Sequence, residues 1–390
     1  MKKFLISAFS LFLSFFINAQ NDKRPATDCV SKVLINTKFS RSIQLDSMIR
    51  SYAPGIIPGF SIAVNSASEG WWTGAYGYAD LENKKPMNDC HLQYLQSISK
   101  TFMAVAILQL KEQDKIKFDD PITKYLPVKY SKYIKNAEKI TVRMLLNQTS
   151  GVPEYNSNPR FVSNVMMHPS AYFTQEDCLK SIVNEELQFV PGSRYQYTNT
   201  NYLLLSLIAD AITGDHAAWI IKNIFKPLGM NNSYYGLGHN YLNGLYLTQS
   251  YWDIMNIGKP ANFTRLQKVT VASSKGDDGI VCTTTDAIKF LKGLMENKLL
   301  KEETMKEMFD FVKNEKGEKT YGMGIFYLDL GGLIAYGHGG GGVGAGCLLL
   351  YIPSHKTYLF ISTNLGVLVD GKLTAKIDEL RNMILATLLQ

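Results

Sequence analysis

Apolar residues recur along this chain with two spacings, and the change from one to the other divides it. From Ile98 to Leu110 nearly every residue is apolar (Phe102, Met103, Ala104, Val105, Ala106, Ile107, Leu108), the pattern of a helix buried on all sides. This run opens at Gln96-Ser97-Ile98-Ser99-Lys100 and ends near Asp114. Ahead of it, 43–52 reads as a helix stopped by Pro54-Gly55, and 60–64 and 71–78 read as strands joined by a turn. Behind it, Asp119-Asp120-Pro121 marks a break, 140–146 a short helix and 147–153 a turn. Residues 154–172 are polar and aperiodic, which predicts an irregular surface excursion. Helical spacing returns at 175–187, 200–213 and 217–226, followed by Gly-rich aromatic loops to 280 and helices at 284–295 and 302–311.

From residue 321 the runs shorten. Strand-like stretches at 321–328, 333–336, 347–352 and 358–363 are separated by Gly or Pro. An amphipathic helix closes the chain over 370–389, with Leu373, Ile377, Leu380, Ile384 and Leu388 on one stripe. Two early strands and four late ones cannot each bury a face alone. The pattern therefore predicts an α/β (α+β) fold in which both chain ends build one antiparallel sheet. The terminal helix is expected on one face and the Ser97 helix against the other. A mainly helical lobe, roughly 115–280, is inserted, and the seam between the parts is where a cleft belongs.

The first residues change the picture of location. Met1-Lys2-Lys3 precedes an apolar run from Phe4 to Ile17, then Asn18-Ala19 and polar residues, the layout of a secretory signal peptide over 1–19. The run is shorter than the roughly 18 residues that span a bilayer. With 20–39 as a lead-in and 40–390 as the working unit, the mature chain is expected in the periplasm or secreted, without a stable membrane anchor. Losing Lys2 and Lys3 takes the formal charge from +7 to +5, a mild excess. Its densest part interleaves Lys124, Lys129, Lys132, Lys135 and Lys139 with tyrosines and reads as a solvated surface, not a nucleic-acid site. Five cysteines, an odd and scattered set without Cys-x-x-Cys, give neither a disulfide framework nor a zinc site.

Three constellations hold candidate chemistry. Ser97 and Lys100 lie three apart and project from one face of a helix start. Burial and the positive helix end both depress a lysine's pKa there, so that Lys100 takes the Ser97 proton and makes a nucleophile; the plain reading is Ser97 as an N-cap and Lys100 reaching water. Tyr197 and Asn199 just precede the helix 200–213, either as a proton relay and a substrate-amide holder or as packing and capping residues. The run Gly337-His338-Gly339-Gly340-Gly341-Gly342 contains Gly339-x-Gly341-x-x-Gly344, but a strand follows it and not the helix that a dinucleotide site needs. Its glycines fit close backbone approach to a ligand, with N–H groups available to an oxyanion, or else a flexible hairpin. His-Glu-x-x-His, a P-loop and Gly-x-Ser-x-Gly are absent.

Taken in order, Ser97-x-x-Lys100, Tyr197-x-Asn199 and His338-x-Gly340 resemble the three motifs of the serine β-lactamase and penicillin-binding superfamily. Tyrosine in the middle motif resembles the branch of class C β-lactamases, D-Ala-D-Ala carboxypeptidases of that fold and related esterases. Pro58-Gly59-Phe60-Ser61, the stretch 145–153, Phe189-Val190-Pro191-Gly192 and Lys226-Pro227-Leu228-Gly229-Met230 are similar to that branch as well. The resemblance implies Ser97 as acylated nucleophile, Lys100 as its proton partner and Tyr197 as acid for the leaving group and activator of the deacylating water. It implies Asn199 on the substrate amide, His338 on the opposite wall with Gly340, and the N–H groups of Ser97 and Gly341 as oxyanion hole, with no cofactor or metal. His338 stands where Lys is commoner, Gly339 where Thr is, and Gln148 where His often is. An unperturbed His338 titrates near about 6.5 and would gain charge below neutrality. The expectation is an exported serine hydrolase acting through acyl-Ser97 on D-Ala-D-Ala peptides, peptidoglycan stem peptides or small esters and amides, with β-lactams as weaker substrates. The alternative is a catalytically silent penicillin-binding or sensor protein.

Overall fold

The computed structural model describes residues 33–389 apart from His239. The signal-peptide segment 1–19 lies outside the described residues. Among them, nine strands form one antiparallel sheet: β1 (Gly59–Ser66), β2 (Gly70–Asp80), β3 (Lys85–Pro86), β4 (Val312–Lys313), β5 (Lys319–Tyr321), β6 (Phe326–Asp329), β7 (Ile334–Gly341), β8 (Gly346–Ile352) and β9 (Thr357–Thr363). Their order is β3-β2-β1-β9-β8-β7-β6-β5-β4, so the two chain ends meet at the β1–β9 pair, with Phe60 opposite Thr363 and Ser66 opposite Thr357. The helices that matter below are α1 (Ser42–Arg50), α2 (Ser99–Glu112), α3 (Val142–Leu146), α4 (Pro159–Met167), α5 (Asn199–Thr213), α6 (Thr284–Met295) and α7 (Lys372–Leu388).

Both faces of the sheet centre are covered, which is why β1 is buried almost without a break from Gly59 to Asn65. On one face Phe60, Ile62, Val64, Leu359 and Ile361 pack under Leu45 and Ile49 of α1 and the Leu373, Ile377, Leu380, Ile384 stripe of α7. On the other, Ala63, Leu349 and Phe360 join the large core built by α2, α5 and α6. Here the structure corrects the expected layering. The helix lying across β1, β8 and β9 is α6, and the body of α2 sits one layer further in, against α5. The main approach to the sheet from this region is made by the turn that precedes α2, against β7 and β8.

The local expectations fail where tertiary contacts decide. The stretch 321–328 is not one strand, because β5 ends at Tyr321 and β6 begins at Phe326. Between them Gly324 has φ +78°, and a Cβ there would lie 2.4 Å from Ala104 Cβ of α2. The chain bends so that α2 fits, and Thr101 Oγ1 donates to Gly324 O at 2.7 Å. The excursion 154–172 contains α4, started by Asn158, whose side chain accepts from Arg160 N, and by Pro159 in the first turn. The predicted helix at 175–187 is real only over Gln175–Lys180. The loops to 280 include short strands, among them Ser233–Tyr234, which with Gln93–Tyr94 from before the Ser97 turn flanks Val281–Cys282.

Candidate active site

Ser97 sits in a 3-10 turn, Gln96–Ile98, that runs straight into α2. Gln96 takes the left-handed conformation with φ 48°, a cost that a non-glycine residue bears only where its surroundings enforce it. Those surroundings are β7 and its exit. A Cβ on Gly340 would stand 2.5 Å from Leu95 O and 2.8 Å from Gln96 Cβ, and one on Gly342 would stand 2.6 Å from the Gln96 amide. These two glycines thus serve the approach of β7 to the turn behind Ser97. Gly341 differs: its nearest would-be neighbours are Val367 and Leu368 side chains at 3.1 and 3.8 Å. Strand β6 pairs with β7 only from Ile334 to Gly337, so His338 to Gly341 have a ladder partner in β8 alone. Beside the Ser97 turn the sheet therefore presents a length of unpaired backbone edge.

Lys100 is fully buried, and its ammonium has three acceptors: Ser97 Oγ at 2.9 Å, Asn199 Oδ1 at 2.7 Å and Asp277 O at 2.9 Å. Three donors meet three acceptors, the arrangement that suits the protonated side chain. The sequence expectation of a depressed pKa is corrected accordingly. Burial does push the amine down, but Tyr197 and the carboxylates of Asp277 and Asp278 outweigh it, and the net shift is upward. Tyr197 faces the same ammonium, with Nζ 5.2 Å from its ring centre. Its hydroxyl is buried without a hydrogen-bond partner. Burial raises the Tyr197 pKa, while Lys100 and Ser97 beside it pull the other way; neither meets hydrogen-bond geometry with the hydroxyl. The resting pair is an ammonium and a neutral phenol.

His338 is buried in an aromatic group with Tyr321 and Phe326 and stands 6.1 Å, centre to centre, from Tyr197. Its Nδ1–H donates to Gly339 O at 2.6 Å and its Nε2 accepts from the Tyr321 hydroxyl at 3.1 Å. Both ring nitrogens are satisfied in the neutral form. Burial, reinforced by the Lys100 charge, holds its pKa down at about 3, so the expected titration near neutrality does not occur in this environment. A wide groove of about 630 Å³ between α1 and β2, bordered by Asp46, Arg50, Thr73 and Asp89, contains none of these residues. Among the described residues no three His, Cys, Asp or Glu side chains are arranged to hold a metal ion.

Residues 45–380 match the Beta-lactamase family. The chain belongs to that family. It is similar to penicillin-binding protein 4* of Bacillus subtilis (strain 168), 27% identical over 310 residues that cover 74% of this chain and 64% of the relative. It is similar to protein flp of Staphylococcus aureus (strain MRSA252), 29% identical over 199 residues, 50% of this chain and 39% of the relative. The chain thus matches less than two thirds of the length of either. Its fold matches the crystal structure of D-amino acid amidase from Ochrobactrum anthropi SV3 complexed with L-phenylalanine amide, with a TM-score of 0.74, 22% identity and coverage of 88% and 98%. These likenesses show the Beta-lactamase family and the β-lactamase/transpeptidase fold.

Within this family frame, the structure gathers Ser97, Lys100, Tyr197 and Asn199 into one contact set and brings His338, Gly340 and Gly341 alongside on β7. Three further residues hold the set in place. Glu154 Oε2 accepts from Asn199 N at 2.6 Å and from its Nδ2 at 3.1 Å, which turns Oδ1 of that amide towards Lys100. Gln148, buried with φ 66°, accepts from Thr198 N and Asn201 Nδ2 at 3.1 and 2.6 Å and pins the segment bearing Tyr197. Asp277 supplies the third acceptor for Lys100. Sequence reasoning noticed Gln148 only as a departure and missed Glu154 and Asp277. The signals available were slight: a lone acid inside the turn Gly151-Val152-Pro153-Glu154, and an acidic pair between Gly276 and Gly279.

Proposed function

We propose that the chain is an exported serine hydrolase that acts through an acyl-Ser97 intermediate on small amides and esters, D-Ala-D-Ala peptides included. The observation that carries this reading is the contact of Lys100 Nζ with Ser97 Oγ at 2.9 Å, with Asn199 and Asp277 taking the remaining two N–H groups. A neutral lysine has two N–H bonds and one lone pair. If the two bonds stay on Asn199 and Asp277, the lone pair faces Ser97 Oγ and accepts its proton as Oγ attacks the carbonyl carbon. The proton then passes by way of Tyr197 to the leaving nitrogen or oxygen as the scissile bond breaks. A water activated by the same pair releases the acid from Ser97. Developing charge on the carbonyl oxygen would fall between the N–H groups of Ser97 and Gly341, at the positive end of α2 and on the unpaired edge of β7.

Substrate preference follows from His338. A neutral imidazole committed to Gly339 and Tyr321, with glycine at 339, offers no cation to a free carboxylate. Neutral amides and esters therefore suit the site better than carboxylate-terminated peptides, in line with its likeness to a D-amino acid amidase. The test is intact-mass analysis after incubation with a fluorophosphonate, penicillin and a D-Ala-D-Ala peptide, alongside hydrolysis of matched amides and esters. One adduct per chain, lost in Ser97→Ala, is expected. An adduct that persists in Ser97→Ala refutes the reading, and stable acylation without turnover identifies a silent penicillin-binding protein instead.

A further inference from the structure

The loop Lys275-Gly276-Asp277-Asp278-Gly279 is held with more care than a carbonyl acceptor for Lys100 alone requires. Gly276 and Gly279 have φ +89° and +109°, and a Cβ on either would lie 2.3 Å from Tyr202 O or 2.6 Å from the Tyr235 ring. Gly276 N donates to the Tyr235 hydroxyl at 3.0 Å, Ser206 Oγ to Lys275 O at 3.2 Å, and Ile280 N to Ser99 Oγ at 3.2 Å. Lys275 Nζ donates to Gly236 O at 2.5 Å. At the centre of this frame the Asp277 side chain is 2% exposed. Its Oδ2 accepts from the Tyr155 hydroxyl at 3.0 Å, and its Oδ1 has no partner. A buried carboxylate with one oxygen unsatisfied is costly, and an apolar residue would spare that cost.

We propose that Asp277 is a positioning residue of this site: its carbonyl oxygen anchors Lys100, and its buried carboxylate keeps the Lys100–Tyr197 pair in its protonated resting state. The proposal rests on the acyl-Ser97 reading. Tyr155 joins the parts, since its N–H donates to Thr200 Oγ1 at 3.0 Å in the first turn of α5 and its hydroxyl holds the carboxylate. The titratable groups that face Asp277 are Lys100 from α2, Glu154 and Tyr155 from the turn after α3, Tyr197 before α5, Cys178 from the helix Gln175–Lys180, Tyr235, and Lys275 and Asp278 on its own loop. Its charge raises the pKa of Lys100 and of Tyr197 alike, so both members of the pair are biased the same way. Burial, opposed in part by Lys100, pushes its own pKa up to about 6, which leaves it ionised at neutral pH.

The experiment is the rate of Ser97 labelling by a fluorophosphonate from about pH 7 to about pH 11 in the wild-type protein and two variants, since both members of the pair are raised above their ordinary values. Labelling needs the pair to have lost one proton, so the acidic limb of the profile reports the pair's ionisation. Asp277→Asn keeps an acceptor for Tyr155 and removes the charge. Its limb is expected at lower pH by about one unit, the effect of one charge within roughly 10 Å through an effective dielectric of ~20. Tyr155→Phe keeps the ring and the contact of Asp277 O with Lys100 but strips the carboxylate of its donor, making it harder to ionise. Its labelling near about pH 7, where the carboxylate is then partly neutral, is expected to rise in the same sense by less, and it serves should Asp277→Asn not fold. A folded variant that labels with an unchanged profile overturns the proposal while leaving acyl-Ser97 standing. Absence of labelling in the wild-type protein overturns acyl-Ser97 itself and the role of Asp277 with it.

Discussion

Replacing His338 by Asn tests whether the third motif is a buried neutral group or a titrating one. Asn retains a donor near the position of Nδ1, which bonds Gly339 O in the native chain, and it does not titrate. In the unfolded chain the imidazole has its ordinary pKa of about 6.5; in the native protein burial and Lys100 hold it at about 3. Between those values the unfolded state binds a proton that the native state does not, so stability rises with pH across the window. The contribution is fully present above about 6.5 and is lost as the pH falls towards about 3. From about pH 7 to about pH 5 the loss is roughly 2 kcal/mol, and over the whole window roughly 5 kcal/mol. His91, held at about 4 mainly by burial, acts in the same direction. Asp277 and Asp278, raised by burial to about 6 and about 7, act in the opposite one, losing stability as the pH rises through that range. The raw slope is therefore composite, and the informative quantity is wild type minus variant. Urea unfolding at about pH 7 and about pH 5 should show His338→Asn losing roughly 2 kcal/mol less than wild type on acidification. Equal losses would mean that the native imidazole takes up a proton like the unfolded one, and both its buried state and the substrate preference drawn from it would be wrong.

Three further outcomes are expected. Tyr197→Phe keeps the ring against Tyr321 and Phe326 and should lower turnover by about 10²–10⁴ in steady-state hydrolysis; near-normal turnover would leave the residue a packing tyrosine. Gly340→Ala should cost roughly 1–3 kcal/mol in urea unfolding and slow labelling. Gly339→Ala, whose new methyl would have its nearest contacts at 3.8 and 3.9 Å, should cost under about 1 kcal/mol, and equal costs would remove the close-approach account of β7. Glu154→Ala deprives Asn199 of two contacts and should cost roughly 1–3 kcal/mol and slow labelling, with most of both recovered in Glu154→Gln.

What could be read in the sequence was what neighbours in the chain decide. The apolar run of α2, the hairpin β1–β2, the stripe of α7 and the Ser97–Lys100 spacing each fit within one or two turns of chain. The bend at Gly322–Ile325 could not be read, because its cause is Ala104 pressing from α2. The state of Lys100 was misread for the same reason: burial is legible in an apolar helix, but Tyr197 and the acids Asp277 and Asp278 that reverse its effect lie far along the chain. His338 failed in mirror image, since nothing adjacent to it announces that Tyr321 and Phe326 enclose it. Glu154 and Asp277 hold the site through hydrogen bonds between turns, which leave no periodic trace.

The joining of the two chain ends in one sheet has a consequence for the order in which this molecule can come into being. Ser97 is made early, but β7, which braces the turn behind it, comes more than two hundred residues later, and β1 cannot complete its ladder until β9 exists. Contacts so distant in sequence are slow to form and cannot be anticipated by a partial chain. A nascent or C-terminally truncated chain would hold Ser97 and Lys100 without the strand that shapes their surroundings, and should be inert towards a fluorophosphonate until β9 is in place.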